Sequence, residues 1–188
     1  MRYFTYELIA AANDWVDQTP KERQQAEKRF ARAVTNYHRE LEKLNQRLSQ
    51  SAWKFFRYGF SETGLHDGRL LSFAFGDGLN YVPDGNSPFR LNHEKTSGRV
   101  EFLNYQQTFR YAFELRGLQR AGVNLCLEQV GKRNLGDLFT YELTRARGES
   151  LRLGFLFTSG TEIDLEFRSL VFKRWSIRPR YDHGDIYR

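Results

Sequence analysis

The chain has 188 residues, of which 40% are hydrophobic and 15% aromatic, enough to bury one core and too much for an intrinsically disordered chain. The formal net charge is +6, but the cations are interleaved with carboxylates, and the one cysteine, Cys126, excludes an internal disulfide. Apolar runs such as Gly154–Phe157 and Leu170–Phe172 are too short to cross a bilayer, and the opening Arg2-Tyr3-Phe4, soon followed by Glu7, lacks the apolar run of a secretory signal; the expectation is a cytoplasmic protein.

In chain order, Thr5 to Val16 predict a short helix with Leu8, Ile9, Ala12 and Trp15 on one face. Thr19-Pro20-Lys21-Glu22 is a helix start: threonine at the cap, proline at the first helical position and glutamate three residues past the cap. From there Phe30, Val34, Tyr37, Leu41, Leu44 and Leu48 recur every three or four residues. This predicts one helix from Pro20 to about Ser49, extendable through Trp53 and Phe56 to Gly59, with a buried stripe. The same spacing suits a coiled coil, so an alternative pairs the stripe with a second copy and makes a dimer. Three repeats are short for that, and burial within the monomer is the favoured reading.

The rest reads as strands. Leu71, Phe73 and Phe75 alternate, then a Gly-, Asn-, Asp- and Pro-rich stretch from Gly76 to Asn92 predicts a loop. Alternation returns in Val100/Phe102, in Phe109 to Leu115, in Val123/Leu125/Leu127, in Phe139/Tyr141/Leu143, in Leu151 to Phe157 and in Ile163/Leu165/Phe167. Arg147-Gly148 and Ser159-Gly160 supply hairpin turns, and Glu162, Asp164 and Glu166 form the polar side of the last of these strands. The predicted fold is α+β: an N-terminal helical region with one long amphipathic helix, packed on a mostly antiparallel sheet of about six or seven strands covered on one side only. A single domain spans 1–188, with residues 1–58 helical, 65–175 forming the sheet and 178–188 a polar tail.

The chain carries no phosphate-binding glycine loop, no G-x-S-x-G and no H-E-x-x-H, so no cofactor is expected. Gly76-Asp77-Gly78 with Asn80, Asp84 and Asn86 lacks the spacing of a calcium loop, and Asp182, His183 and Asp185 lie in a terminal tail that holds ligands poorly; no metal is expected. Cys126 falls on the polar phase of its strand with no base named beside it. His38 falls at the polar edge of the long helix's stripe, and His93 in the loop region. Glu162, Asp164 and Glu166 could pair for acid–base work, but alternating carboxylates are the ordinary solvent face of a sheet.

The candidate site residues are His66 and Asp67, in Leu65-His66-Asp67-Gly68 ahead of the first strand. The favoured reading is structural: Asp-Gly is turn chemistry, with positive φ on the glycine and the histidine ring donating to a backbone carbonyl. The rival makes the pair a general base and its orienting carboxylate. Neighbours in an extended segment point to opposite sides, so a direct couple requires a special backbone.

The opening Met1-Arg2-Tyr3-Phe4-Thr5-Tyr6-Glu7-Leu8, with the later Leu65-His66-Asp67, resembles a bacterial family of small uncharacterised proteins. Its members begin Met-Lys-Tyr-Phe-Thr-x-Glu-Leu and carry a His-Asp pair ahead of a β-rich half. The chain departs from that pattern by Arg2 in place of lysine and by a longer middle loop. The resemblance implies a bacterial, intracellular setting and no particular activity.

Three functions follow in order. The first is a non-catalytic binding or protein-interaction module, comparable to an immunity protein or adaptor, with Trp15, Trp53, Trp175, Tyr181 and Tyr187 available for a protein partner. The second is a small hydrolase-like enzyme centred on His66 and Asp67. The third is a nucleic-acid binder using Arg29/Arg32, Lys132/Arg133, Lys173/Arg174 and Arg178/Arg180, against which the interleaved carboxylates argue.

Overall fold

Among the described residues three α-helices precede the strands, and each starts where a hydroxyl captures the backbone. In the computed structural model, which describes residues 1–13, 15–59, 64–76, 96–126 and 135–177, and the backbone alone at 79–81 and 89–91, Thr5 caps α1 (Tyr6–Ala12). The capping box at Thr19 and Glu22 is complete and opens α2 (Pro20–Glu42). The expected single helix to about Ser49 is corrected here. After Glu42 the chain makes a 3₁₀ turn (Asn45–Arg47), Leu48 and Ser49 are extended, and the Ser49 hydroxyl accepts from the Ala52 N–H to start α3 (Gln50–Tyr58). The serine offers the backbone an alternative to continuing α2, and the break lets α3 turn its own apolar face inward.

The strands are β1 (Arg69–Gly76), β2 (Leu79–Tyr81), β3 (Phe89–Leu91), β4 (Ser97–Leu103), β5 (Phe109–Arg116), β6 (Arg120–Asn124), β7 (Leu138–Arg145), β8 (Leu151–Phe157), β9 (Glu162–Phe167) and β10 (Ser169–Ser176). Instead of one sheet they make two four-stranded antiparallel sheets, β1-β4-β5-β10 and β6-β9-β8-β7, with β2 and β3 forming a ribbon inside the stretch expected to be loop. The sheets share two seams. Along one, β5 continues into β6 past Gly117 (φ 62°) while β9 continues into β10, held by Arg168 N–H to the Arg116 carbonyl and Gln119 N–H to the Glu166 carbonyl. Along the other, Gly68 bridges Leu138 and joins the start of β1 to β7.

The inner faces meet through Phe102, Phe113 and Phe155, with ring centroids 4.8 Å apart for Phe102–Phe155 and 5.5 Å for Phe113–Phe155. Phe55 and Phe56 of α3 reach the same core, against Phe113, Tyr111 and Tyr141. The expectation of a sheet covered on one side fails at β7 and β8, which are buried on both faces. Residues 1–4 cross their second face: the backbone N–H groups of Arg2, Tyr3 and Phe4 all converge on the Glu142 carboxylate, and the Met1 sulfur sits over Gly154.

The apolar alternation located most of the core, with two exceptions. Leu71 is exposed because β1 carries a bulge between Leu70 and Ser72 that puts Leu70 on the core side and Leu71 out, and Phe75, in the phase of the half-buried Phe73, is exposed near the end of the strand. Val123 and Leu125 are also exposed, Val123 on the edge strand β6 and Leu125 just past its end. On α2, Tyr37 and Leu41 are fully buried, as is Leu44 beyond it, but Phe30, Val34 and Leu48 are only half-buried. The stripe packs within the chain, on β7, where the Leu143 N–H donates to the Tyr37 hydroxyl at 3.3 Å. Among the described residues no helix is long and apolar enough to cross a membrane.

Candidate functional site

Phe30 and Val34 are half-buried because they wall a pocket. It occupies about 490 Å³ between α1, α2, β7 and the turn at His66, within the range of ligand sites. Phe4, Ile9, Phe30, Val34 and Phe139 make it apolar, and Trp15 lies at its rim, 55% exposed, with its ring 5.0 Å from that of Phe139. The expected first helix ends before Trp15, which frees the indole to lean on β7 instead of lying along the α1 stripe. Among the described residues four polar side chains join the lining: Asn13, His38, His66 and Thr140.

His66 and Asp67 sit in the turn that precedes β1. The turn is closed by backbone bonds: Gly68 N–H to the Leu65 carbonyl (2.9 Å), Asp67 N–H to the Leu138 carbonyl (2.8 Å) and Leu138 N–H to the Gly68 carbonyl (2.7 Å). Positive φ falls on Asp67 (59°) and not, as expected, on Gly68. Gly68 is required for another reason: a Cβ there would stand 2.8 Å from the carbonyl oxygens of Leu103 and Leu65. The left-handed Asp67 is the special backbone that a direct couple demands, and His66 Nδ1 lies 2.9 Å from Asp67 Oδ2. The ring nitrogen thus lies at ion-pair distance from its neighbour's carboxylate, where a hydrogen bond to a backbone carbonyl was expected. Both side chains are half-exposed, and the ring meets Phe139 edge-on at 6.2 Å.

His38 is the histidine that the sequence placed at the stripe's edge without connecting it to His66. Arg57 of α3 donates to its Nδ1 (3.1 Å) and is itself held by Glu42 at 3.2 Å. An arginine always donates, so His38 is neutral with its proton on Nε2. Partial burial and the Arg57 charge push its pKa down, against a smaller upward pull from Glu42. The pocket thus brings two imidazole rings, His38 and His66, to an apolar floor. Nothing in the sequence pairs the two histidines or joins Asn13 and Thr140 to them, since they come from a helix end, a second helix, a turn and a strand.

The other sequence candidates are placed elsewhere. Glu162, Asp164 and Glu166 are held by the Met1 amine, Arg120 and Arg152. Cys126 is half-buried, its backbone N–H bonded to the Thr161 hydroxyl. His93, the Asp182-His183-Asp185 tail and most of the Gly76–Asn92 stretch lie outside the described residues. Among the described residues no group of three or more His, Cys, Asp or Glu could hold a metal ion.

Fold and site together define an α+β protein of two seamed antiparallel sheets with an apolar, histidine-bearing pocket under its N-terminal helices. Comparison with protein-family models, with curated proteins and with solved structures finds no match in any of the three.

Proposed function

We propose that this protein is a non-catalytic binding module, of the immunity-protein or adaptor kind, whose pocket beneath α1 and α2 receives an apolar side chain of a protein partner. The observation that carries the reading is the pocket's lining: aromatic and aliphatic walls, with an exposed Trp15 at the rim as an anchor. A bacterial cytoplasmic setting belongs to the same proposal. Nucleic acid fits less well, because Arg99, Arg110, Arg120 and Arg152 are each tied to a carboxylate.

The neutral dye N-phenyl-1-naphthylamine tests the pocket. It should bind saturably to the wild type, quench Trp15 and lose its site in Val34→Arg, with the fold checked by circular dichroism. An unaltered affinity in Val34→Arg removes the pocket from the proposal.

A second reading, a hydrolase-like enzyme, is favoured by one observation: the His66 ring that lines the same pocket lies 2.9 Å from the Asp67 carboxylate, the pairing of a base with an orienting acid. Among the described residues no serine or cysteine lines that pocket, and the proposed base would act on water. Turnover of p-nitrophenyl acetate above buffer, abolished in His66→Ala, would decide for the enzyme.

A further inference from the structure

A separate cavity of about 570 Å³ opens between α3 and β10. Its floor is aromatic: Phe55 and Phe172 stack with centroids 4.5 Å apart and planes 29° from parallel, and Tyr58 stands exposed at one side. Its polar groups are Ser51, Lys54 and Arg174.

Arg174 breaks a pattern. Along β10, Leu170 and Phe172 face the core, and the next residue in that phase is an arginine where alternation asks for an apolar side chain. It is exposed, yet neighbouring rings position it. It pairs across the ladder with Tyr111, and its guanidinium lies 4.9 Å from the centroid of the Phe109 ring. A cation is thus held in place at the cavity wall before any ligand arrives.

Lys54 supplies the second cation from α3, on the face shared by Ser51, Phe55 and Tyr58. Among the described residues no carboxylate lines the cavity or ion-pairs with Lys54 or Arg174. That contrasts with the outer face of the same sheet, where Glu101 takes Arg99 and Arg110, and Glu114 takes Lys173.

Two cations lining one cavity beside stacked rings, with no carboxylate among its described lining residues, call for a ligand that brings both a negative charge and a flat apolar body. We propose that the α3–β10 cavity is a binding site for a small planar aromatic ligand carrying a carboxylate or phosphate. The ring lies on Phe55 and Phe172, and the anion meets Lys54 and Arg174. The site is independent of the pocket beneath α1 and α2.

Isothermal titration of the full chain distinguishes the possibilities, using 1-naphthoate and adenosine monophosphate as the two anionic probes. Their uncharged counterparts, 1-naphthalenemethanol and adenosine, and inorganic phosphate alone serve as controls. At least one anionic probe should bind about tenfold or more tighter than its neutral counterpart and than phosphate. Lys54→Glu, an exposed change that leaves the core intact, should remove that preference, and Phe172→Leu should weaken the ring ligand while sparing phosphate. A carboxylate or a phosphate ligand is identified by which probe wins. Equal affinity for charged and neutral rings, phosphate binding as tightly as either probe, no saturable binding, or an unchanged preference in folded Lys54→Glu would each overturn the proposal.

Discussion

His66 Nδ1 and Asp67 Oδ2 are 2.9 Å apart although the residues are adjacent, a contact permitted by the left-handed backbone of Asp67 (φ 59°). That backbone is the costly element of the turn. A β-branched residue tolerates it worst, so Asp67→Val should lose about 1–2 kcal/mol in urea denaturation, while Asp67→Asn should stay within about 0.5 kcal/mol of the wild type. Asp67→Val matching Asp67→Asn would show that the turn relaxes to negative φ. By contrast His66→Ala should change stability by no more than about 0.5 kcal/mol, because its partner is half-exposed and regains water.

Glu142 organises the opening segment. Its carboxylate accepts from the Arg2, Tyr3 and Phe4 N–H groups while only 2% of the residue is exposed. Glu142→Gln retains shape but loses charge and an acceptor, and should cost about 1–3 kcal/mol. Hydrogen exchange at Tyr3 and Phe4 should accelerate in the same variant. Slow exchange there would mean that the carboxylate is not what holds the segment.

Leu41 and Val34 share the α2 stripe but not its environment. Leu41→Ala leaves a void in the core and should cost about 2–5 kcal/mol. Val34→Ala only enlarges the pocket and should cost clearly less, by thermal or urea unfolding. Equal losses would indicate that the pocket is closed in solution.

Glu101 should make the protein acid-sensitive. Burial opposes its ionisation, but hydrogen bonds from Arg110, Arg99 and Ser72 outweigh that and hold its pKa below the ordinary 4.5. A depressed carboxylate stabilises the fold above its unfolded pKa, and that contribution disappears as pH falls through the folded one. Urea midpoints from pH 7 to pH 3 should therefore show the gap between wild type and Glu101→Gln constant above about pH 5 and shrinking below about pH 4.5. A gap that persists to pH 3 would contradict this assignment.

Nucleic acid should not bind tightly. Fluorescence anisotropy with DNA or RNA at physiological salt should give no dissociation constant below about 10⁻⁶ M, the ordinary non-specific range. Sub-micromolar binding would promote the arginines that the ion pairs are argued to neutralise.

Local chemistry was legible in the order of residues: the Thr19–Glu22 capping box, the hairpin glycines Gly148 and Gly160, and the alternation of Leu151 to Phe157 all act within a few neighbours along the chain. The same rules misjudged α2, because the Leu44 and Leu48 spacing carries the apolar period across a break that Ser49 makes by capping a new helix. They misjudged Leu71 and Val123, because periodicity cannot reveal a bulge or distinguish an edge strand from a central one. The seams at Gly68–Leu138 and Gly117–Arg168 split the expected single sheet into two, and both are contacts between distant segments. The candidate site divides in the same way. The His66–Asp67 pair is local and visible, whereas its meeting with His38, Asn13 and Thr140 depends on four elements packing around one void, which no spacing along the chain encodes.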